Sequence, residues 1–264
     1  RMNGDHVSIR GSSGFAFGVG SKVAYLLDGF SLISGDQGDL KFDIIPTFNI
    51  QRIEVVKGAG SALYGTGAIG GVINIISEEP KEKPSVKAKL YAGLYTKPKY
   101  KEWIYNDEYS FNNGIDISYS KKFSDFGILL SARYLTDDGY IQFDKRTNIN
   151  FFSKLNYNFD DRSKFTLSTS YATNKRDDWV YWRNLDSATI PPAVTDMTVK
   201  IYSDKLIITG LYEHFYDNNN FMLIRTGIYK TFFENTLNHN NTDFRTSTAI
   251  SNYNEIQLNN KISN

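Results

Sequence analysis

After residue 84 the sequence alternates apolar and polar residues, and this alternation constrains the fold more than any other feature. Apolar residues hold every second position from Val86 to Leu94, with Lys87 and Lys89 between them. A period of two places the two sets on opposite faces of a β-strand. Later segments repeat the pattern, with the apolar rows Ile115, Ile117 and Tyr119; Phe126, Ile128, Leu130, Ala132 and Tyr134; Phe151, Leu155, Tyr157 and Phe159; Phe165, Leu167 and Tyr171; and Ile256, Leu258 and Ile262. The sequence therefore predicts a mostly β protein.

Two features depart from the simple alternation. Leu129 is an apolar residue in the polar row of its segment. The segments near 205–216 and 221–233 are apolar on both faces, so the pattern does not say which side faces inward. With these two segments included, we identify eight candidate strands after residue 84.

The connections between these strands alternate between short and long. The short ones are Ser124-Asp125, Asp160-Asp161-Arg162 and 217–220, and the long ones lie around 97–109, 137–147, 175–203 and 236–249. A transmembrane β-barrel has this order, because its periplasmic turns are short and its extracellular loops are long. A soluble antiparallel sheet with one buried face gives the same alternation of residues without a reason for the order of loops. The loop order favours the barrel.

The strand count limits the size of that barrel. A closed barrel of about eight strands is filled by its own side chains and cannot hold the first eighty residues. A barrel that encloses them would be of the plugged kind with about 22 strands, of which this chain would carry the opening third. The chain also opens and ends within strand-like sequence, without a signal-peptide pattern. We therefore expect both ends to lie inside a longer protein.

Composition excludes several classes of protein. The 264 residues include 30 Lys plus Arg and 29 Asp plus Glu, a formal net charge of +1 without a basic patch for nucleic acid. The absence of cysteine excludes disulfides, Cys-based zinc sites and thiol catalysis. Aromatic residues make up 15% of the chain, which is typical of strands and of membrane-interface girdles. No run approaches the roughly 18 to 20 apolar residues of a membrane-spanning helix.

A charged connector divides the chain into two regions. Residues 1–80 are rich in glycine and in short apolar runs, whereas residues 85–264 carry the long alternating segments. The segment 78–84 between them holds two prolines and five charges. Such a segment does not fit inside a packed element. We expect two domains with these boundaries.

Four ordered blocks in the first region carry a family resemblance. They are Val7–Gly11, Val23–Gly29, Ile50–Gly58 and Ser61–Ile76. Together they resemble the plug domain of TonB-dependent outer-membrane receptors. The resemblance covers residues from about 5 to 80, and it implies that the strands after residue 84 begin the receptor's barrel.

The resemblance implies a fold and a function. The fold is an α+β plug domain followed by antiparallel strands of a large transmembrane β-barrel in the bacterial outer membrane. The function is energy-dependent uptake of a scarce ligand, most often a ferric siderophore and otherwise cobalamin, haem or a glycan. The implied partners are the TonB energy-transducing complex, the small-molecule ligand and outer-membrane lipid, and neither a cofactor nor an enzymatic reaction is implied.

The resemblance also implies residues that hold the plug in place. Basic residues at two motif positions of the family face the barrel wall and pair with its carboxylates. This role falls on Arg10 and Lys57, with Arg52 and Glu54 as local partners. The alternative is simple surface charge at the ends of strands.

Ligand contacts are expected on loops at the outer end of the molecule. In the family the ligand rests on apical loops of the plug, which here gives the candidates Phe15, Phe17, Asp36 and Gln37. The long loop at 175–203 also brings together three aromatic residues able to stack on a ligand, namely Trp179, Tyr181 and Trp182. These three could instead belong to the interface girdle or pack within their loop.

Other motifs carry little weight. Gly65–Gly70 satisfies G-x-G-x-x-G, but neither a directly preceding strand nor a following helix surrounds it, so nucleotide binding is not expected. No histidine has metal-ligand spacing, although His239 is a candidate haem ligand in a long loop. Asp36 and Asp39 are better explained as polar residues of a solvated loop than as calcium ligands.

The alternative to a transporter is a small β-barrel binding or adhesion protein without transport.

Overall fold

Within the residues that it describes, the computed structural model contains two β-sheets that together have twelve strands. No helix in the part of the chain that the structure describes is long and apolar enough to cross a membrane. The structure describes residues 9, 22–36, 38, 40–58, 68–177, 183–191, 200–217, 219–236 and 244–260.

The small sheet is built from the first four strands, which are β1 (Val23–Leu27), β2 (Phe30–Ser31), β3 (Ile50–Lys57) and β4 (Gly71–Ser77). Their order in the sheet is β2-β1-β4-β3. β1 and β4 are parallel, whereas β2 and β3 pair antiparallel with their neighbours. Between β2 and β3 the chain forms two short 3₁₀ turns, at Phe42–Ile44 and Thr47–Asn49.

A two-residue turn joins β1 to β2, and both of its residues adopt an uncommon backbone conformation. Leu27 pairs with Phe30, which leaves Asp28 and Gly29 between them. Both have positive φ, 51° and 86°. This is the geometry of a type I′ hairpin turn, for which Asp-Gly is a favoured sequence because both residues tolerate positive φ.

The large sheet contains the eight strands that the alternation predicts, each antiparallel to the next. The short and long connections also follow the predicted order, which confirms the mostly β architecture. The strands are β5 (Ser85–Leu94), β6 (Phe111–Phe123), β7 (Phe126–Asp137), β8 (Arg146–Asn158), β9 (Ser163–Asp177), β10 (Lys200–Phe215), β11 (Phe221–Thr236) and β12 (Phe244–Asn259).

Burial in the large sheet is the inverse of that in a soluble protein. On β6, Asp116 and Ser118 are buried, whereas Ile117 between them is 47% exposed. On β8, Lys154 is buried and Phe151 is exposed. The buried face carries the polar row and lies against the small sheet, while the exposed face is apolar. A transmembrane barrel has this arrangement, with apolar residues toward lipid and polar residues toward the lumen.

Burial on the inner face explains both departures from the simple alternation. Leu129 is fully buried and stands between its cross-strand partners Ser120 and Lys154 on the inner face. Ile207 of β10 and Tyr229 of β11 join the hydrophobic core of the small sheet, so these strands are apolar inside as well as outside. The other members of that core are Ile9, Val23, Tyr25, Leu27, Leu32, Leu40, Ile44, Ile45, Ile75 and Ala172.

A charge on the exposed apolar face tests this assignment. Ile117→Lys, near the middle of β6, is expected to cost about 2–4 kcal/mol of folding free energy in a bilayer. Asn113→Lys places the same charge on the same face nearer the end of β6, where the expected cost is about 0–1 kcal/mol. Urea-dependent folding of the whole protein into lipid vesicles measures both values. Equal costs at the two positions would contradict a lipid-facing surface.

Candidate functional site

The small sheet is held against the large sheet by a buried lysine. Lys154 of β8 has a side chain only 3% exposed, and its Nζ lies 3.1 Å from Asp28 Oδ2 and 3.1 Å from Glu79 Oε1. Burial of an ammonium group is costly unless it is paired, and here two carboxylates surround it. This cluster of Asp28, Glu79 and Lys154, the lysine cluster, links the two sheets near the short turns.

Asp28 is oriented by the hairpin turn in which it lies. Its Oδ1 accepts a hydrogen bond from the backbone N of Ser77 at 2.9 Å, and its Oδ2 accepts one from Ser77 Oγ at 2.6 Å. Gly29 N donates to Asn74 Oδ1 at 3.1 Å, which fixes the turn to β4. The Asp28 carboxylate is therefore fixed before it meets Lys154.

Glu79 lies in the connector and bonds three side chains of the barrel wall. Besides Lys154, its Oε2 accepts hydrogen bonds from Asn156 Nδ2 at 2.6 Å and from Lys164 Nζ at 2.9 Å. Burial alone would raise the pKa of Glu79, but the charges of Lys154 and Lys164 outweigh it and lower the pKa to about 2. Glu79 is thus an ionised docking group.

A second buried lysine binds the 3₁₀ turn at Phe42–Ile44. Lys205 Nζ of β10 lies 2.6 Å from Asp43 Oδ2, and the lysine side chain is 5% exposed. Asn150 Nδ2 donates to the Asp43 carbonyl, and Ser170 Oγ donates to the Ile44 carbonyl at 2.6 Å. Three strands therefore hold one turn of the small-sheet unit.

Asn49 and Glu78 make a third contact, with the first two strands of the large sheet. Asn49 is fully buried, and its Nδ2 donates to Ser118 Oγ at 2.9 Å. Lys87 Nζ lies 2.8 Å from Glu78 Oε2 and 3.1 Å from the Phe48 carbonyl. Burial raises the pKa of Glu78, but hydrogen bonding and the charge of Lys87 exceed it and lower the pKa overall.

In all of these ion pairs the small-sheet unit and its connector supply the acid and the large sheet supplies the base, and they are separate from the predicted contacts of Arg10 and Lys57. Sequence reasoning missed the acids because Asp28 resembled a simple turn residue and 78–84 a solvated connector. The available signal was Lys154, a charge in an inward-facing polar row that requires a partner.

The structure describes three of the four residues expected to lock the small-sheet unit. Arg52 Nε and Glu54 Oε1 of β3 form an exposed ion pair at 2.8 Å. Lys57, the last residue of β3, is exposed, and Arg10 lies outside the described residues. Their contacts with a barrel wall stay a prediction.

Most of the expected ligand contacts lie outside the described residues, namely Phe15, Phe17, Gln37, Trp179, Tyr181 and Trp182. Asp36 is described and half-buried, in a loop where Gly38 N donates to the Ser34 carbonyl at 3.0 Å. With the other candidates outside the described residues, the ligand site also stays a prediction.

Two long loops are joined by an aromatic residue that the sequence did not single out. Trp103 Nε1 donates to the Leu185 carbonyl at 2.7 Å, and Thr189 Oγ1 donates to the Trp103 carbonyl at 2.6 Å. Tyr100 packs edge-on against Trp103 with ring centroids 4.9 Å apart. These contacts connect the loop before β6 with the loop after β9.

One serine, histidine and aspartate group lies at a short turn, without the geometry of a catalytic triad. Ser163 Oγ donates to Asp160 Oδ2 at 3.2 Å and lies 2.9 Å from His214 Nδ1. A nucleophilic serine would donate its proton to the histidine instead. Among the described residues there is also no cluster of three or more potential metal ligands from His, Cys, Asp and Glu.

Removal of the buried charge tests the lysine cluster. Lys154→Met keeps an unbranched apolar side chain, removes the cation that pairs with Asp28 and leaves Glu79 with Lys164 only, so we expect the small-sheet unit to lose about 3–5 kcal/mol of docking free energy. Urea-dependent release of this unit in the whole protein, followed by protease cleavage, measures the loss. The control Lys83→Met, in the exposed connector, is expected to change the value by less than about 0.5 kcal/mol. An unchanged release midpoint for Lys154→Met would contradict the assignment.

The lowered pKa of Glu79 predicts how docking depends on pH. The group ionises near 2 when docked and near its ordinary value of 4.5 when released. Its contribution is therefore complete above pH 4.5 and is lost as the pH falls toward 2. Release of the small-sheet unit, measured across this window, should show less pH dependence in Glu79→Gln than in the parent. The exposed control Glu102→Gln should leave the pH profile as it is, and a parent-like profile in Glu79→Gln would refute the linkage.

Comparison with known proteins relates parts of this chain to a family of receptors. Residues 1–72 match the model of the TonB-dependent Receptor Plug Domain. The chain is 37% identical over 99 residues to the vitamin B12 transporter BtuB of Vibrio vulnificus, a match that covers 35% of this chain and 16% of that protein. It is 28% identical over 181 residues to the ferric aerobactin receptor of Klebsiella pneumoniae, covering 65% of this chain and 24% of that receptor.

Solved structures agree with the fold of both sheets. The ferric enterobactin receptor PfeA of Pseudomonas aeruginosa superposes with a TM-score of 0.64 at 16% identity, over 91% of this chain and 39% of that one. The chain thus spans only a part of the length of these proteins. The match of the plug model, the relatives and the inverted burial of the strands agree with one another: residues 1–72 match the plug domain of TonB-dependent receptors, and the chain is similar in fold to the plug and adjoining barrel strands of such outer-membrane receptors.

Proposed function

We propose that the receptor containing this chain takes up a scarce ligand, in the first instance a ferric siderophore, with energy supplied by the TonB complex. Relatives of the chain include proteins named as a ferric aerobactin receptor and as a vitamin B12 transporter, so cobalamin is the second ligand to test. Haem and glycans are the remaining ligand classes to test. The protein performs transport and makes or breaks no covalent bond.

The observation that carries this proposal is the lysine cluster. A plug that only filled space would need shape and apolar contact, whereas this one is held by charges buried between it and the wall. A charged pair loses its stabilisation once water reaches it, because the dielectric around the charges rises. Such contacts suit a plug that must stay closed at rest and move under an applied force.

The order of the contacts along the chain gives a mechanism of opening. The connector acids Glu78 and Glu79 bind near the short turns, on the side that a barrel turns toward the periplasm. Asp43 binds Lys205 farther toward the long loops. A pull from the periplasmic side would displace the part of the plug that it engages while the remaining contacts hold the rest. We infer that opening is partial and reversible.

The two domains are part of the proposal. Residues 1–80 would form the plug and residues 85–264 the opening part of the barrel. Arg10 and Lys57 would bind carboxylates of barrel strands beyond those in this chain, in addition to the contacts of the lysine cluster. The exposed surface of β3, which includes Lys57, supports this role because a surrounding barrel would cover it.

The ligand would rest on the plug beneath the long loops. Phe15, Phe17, Asp36 and Gln37 are the proposed plug contacts. Trp179, Tyr181 and Trp182 are the proposed loop contacts, in the loop that Leu185 and Thr189 join to Trp103. Aromatic rings on a tied loop lose little conformational freedom when they stack on a ligand.

Uptake in paired strains tests the proposal. The whole receptor, expressed in cells without other siderophore receptors, is expected to import radiolabelled ferric siderophore only when TonB is present. Lys57→Glu in the same cells should reduce uptake, because it places a carboxylate where the wall is expected to carry one, whereas Lys83→Glu in the connector should not. Ligand binding without import in either strain would favour the rival function, a binding or adhesion protein without transport.

A further inference from the structure

Three long loops at one end of the large sheet meet at a buried threonine. Thr189 lies in the loop after β9 and is only 2% exposed, whereas loops usually run over the surface with their polar groups in water. Its Oγ1 donates a hydrogen bond at 2.6 Å to the carbonyl of Trp103, in the loop after β5. Its carbonyl accepts one at 2.9 Å from the backbone N of Gln142, in the loop after β7. Thr189 thus bonds to two loops besides its own.

Trp103 adds a second bond between the loops after β5 and β9. Its Nε1 donates to the Leu185 carbonyl at 2.7 Å, while its own carbonyl accepts from Thr189. The two bonds run in opposite directions, so they fix the orientation of the two loops as well as their separation. Tyr100 packs edge-on against the Trp103 ring and supports it from within the loop after β5. Thr189, Trp103, Leu185 and Gln142 together form the three-loop junction.

The segment that carries Thr189 holds its own shape. The backbone N of Arg183 donates to the Ile190 carbonyl at 3.1 Å, which brings the two ends of the segment together. Between them the chain forms a short 3₁₀ turn at Leu185–Ser187. Pro191 follows, fully buried, and its ring fixes the backbone at the end of the segment. Compact loops whose ends meet are packed by their own residues, so the segment presents Thr189 in a defined position.

Burial makes the three loops depend on one another. A backbone or hydroxyl group that loses its hydrogen bond in a shielded place costs free energy, because water does not replace the bond. If the loop after β9 moved alone, the Trp103 carbonyl and the Gln142 N–H would both lose their bonds to Thr189. Segments joined in this way open as one cooperative unit.

We propose that the loops after β5, β7 and β9 form one unit that is assembled before the ligand binds, with Thr189 and Trp103 as positioning residues. The inference rests on the proposed function, in which the loop after β9 supplies aromatic ligand contacts. An assembled unit loses little conformational freedom on binding, so the affinity for ligand depends on residues that do not touch it. The unit is a fixed part of the binding site rather than a lid that closes over it.

Hydrogen exchange in the whole receptor without ligand tests the assembly. In the parent, the peptides 100–104, 140–144 and 183–190 should exchange at least about tenfold more slowly than the same peptides unfolded. Thr189→Val keeps the branched shape and removes the hydroxyl, so exchange should rise about threefold or more in all three peptides. Thr189→Ser keeps the hydroxyl and should restore slow exchange. The control Thr147→Val, on the outer face of β8, should change exchange by less than about twofold.

Binding of ferric aerobactin, the ligand for which one relative is named, tests the positioning role. Vitamin B12, from the name of another relative, is the probe if the parent does not bind aerobactin. Thr189→Val should raise the Kd of the bound probe about threefold or more, because the loops must then order during binding. Thr189→Ser should bind as the parent does. An unchanged Kd in Thr189→Val would overturn the positioning role.

Two exchange results would overturn the assembled unit. One is a parent in which the three peptides exchange as fast as an unfolded chain. The other is a rise in Thr189→Val that is confined to 183–190, since the loops would then open separately. Both are measured without ligand and without TonB, so a receptor that keeps the expected exchange pattern but imports no ligand would refute the transport function and leave the unit standing.

Discussion

A buried ammonium group requires nearby negative charge, and the rest of this structure is arranged around that requirement. Lys154 supplies the charge from the barrel wall, and Asp28 and Glu79 supply its partners from a hairpin turn and from the connector. The turn must adopt positive φ at two residues, and the connector must run along the wall rather than through solvent. One interaction thus fixes the fold of a turn, the path of the connector and the position of the plug.

The inverted burial of the strands is the second constraint. Because the outer face of the large sheet is apolar, its polar residues must be satisfied on the inner face, and the plug provides many of their partners. Where the plug presents its hydrophobic core, at Ile207 and Tyr229, the inner face becomes apolar as well. The wall and the plug are therefore complementary in charge in one region and in apolar contact in another.

The strand pattern could be predicted from sequence because a period of two depends only on which faces meet lipid and lumen. The eight strands and the order of their connections follow from it. The sides of β10 and β11 could not be predicted, since their inner partner is a segment far away in the sequence. For the same reason Asp28, Asp43 and the connector acids gave no signal: a carboxylate in a turn looks solvated until a buried lysine is placed beside it.

A double-mutant cycle on the lysine cluster tests the central claim most directly. The free energy of plug release would be measured in the whole receptor for the parent, Lys154→Met, Glu79→Gln and the combined variant. If Lys154 and Glu79 stabilise the docked plug by interacting with each other, the free-energy costs of the two single substitutions will not add. The coupling energy between them will then be about 0.5–3 kcal/mol. Additive costs would show that Lys154 and Glu79 act independently, and the plug would then be held by other contacts.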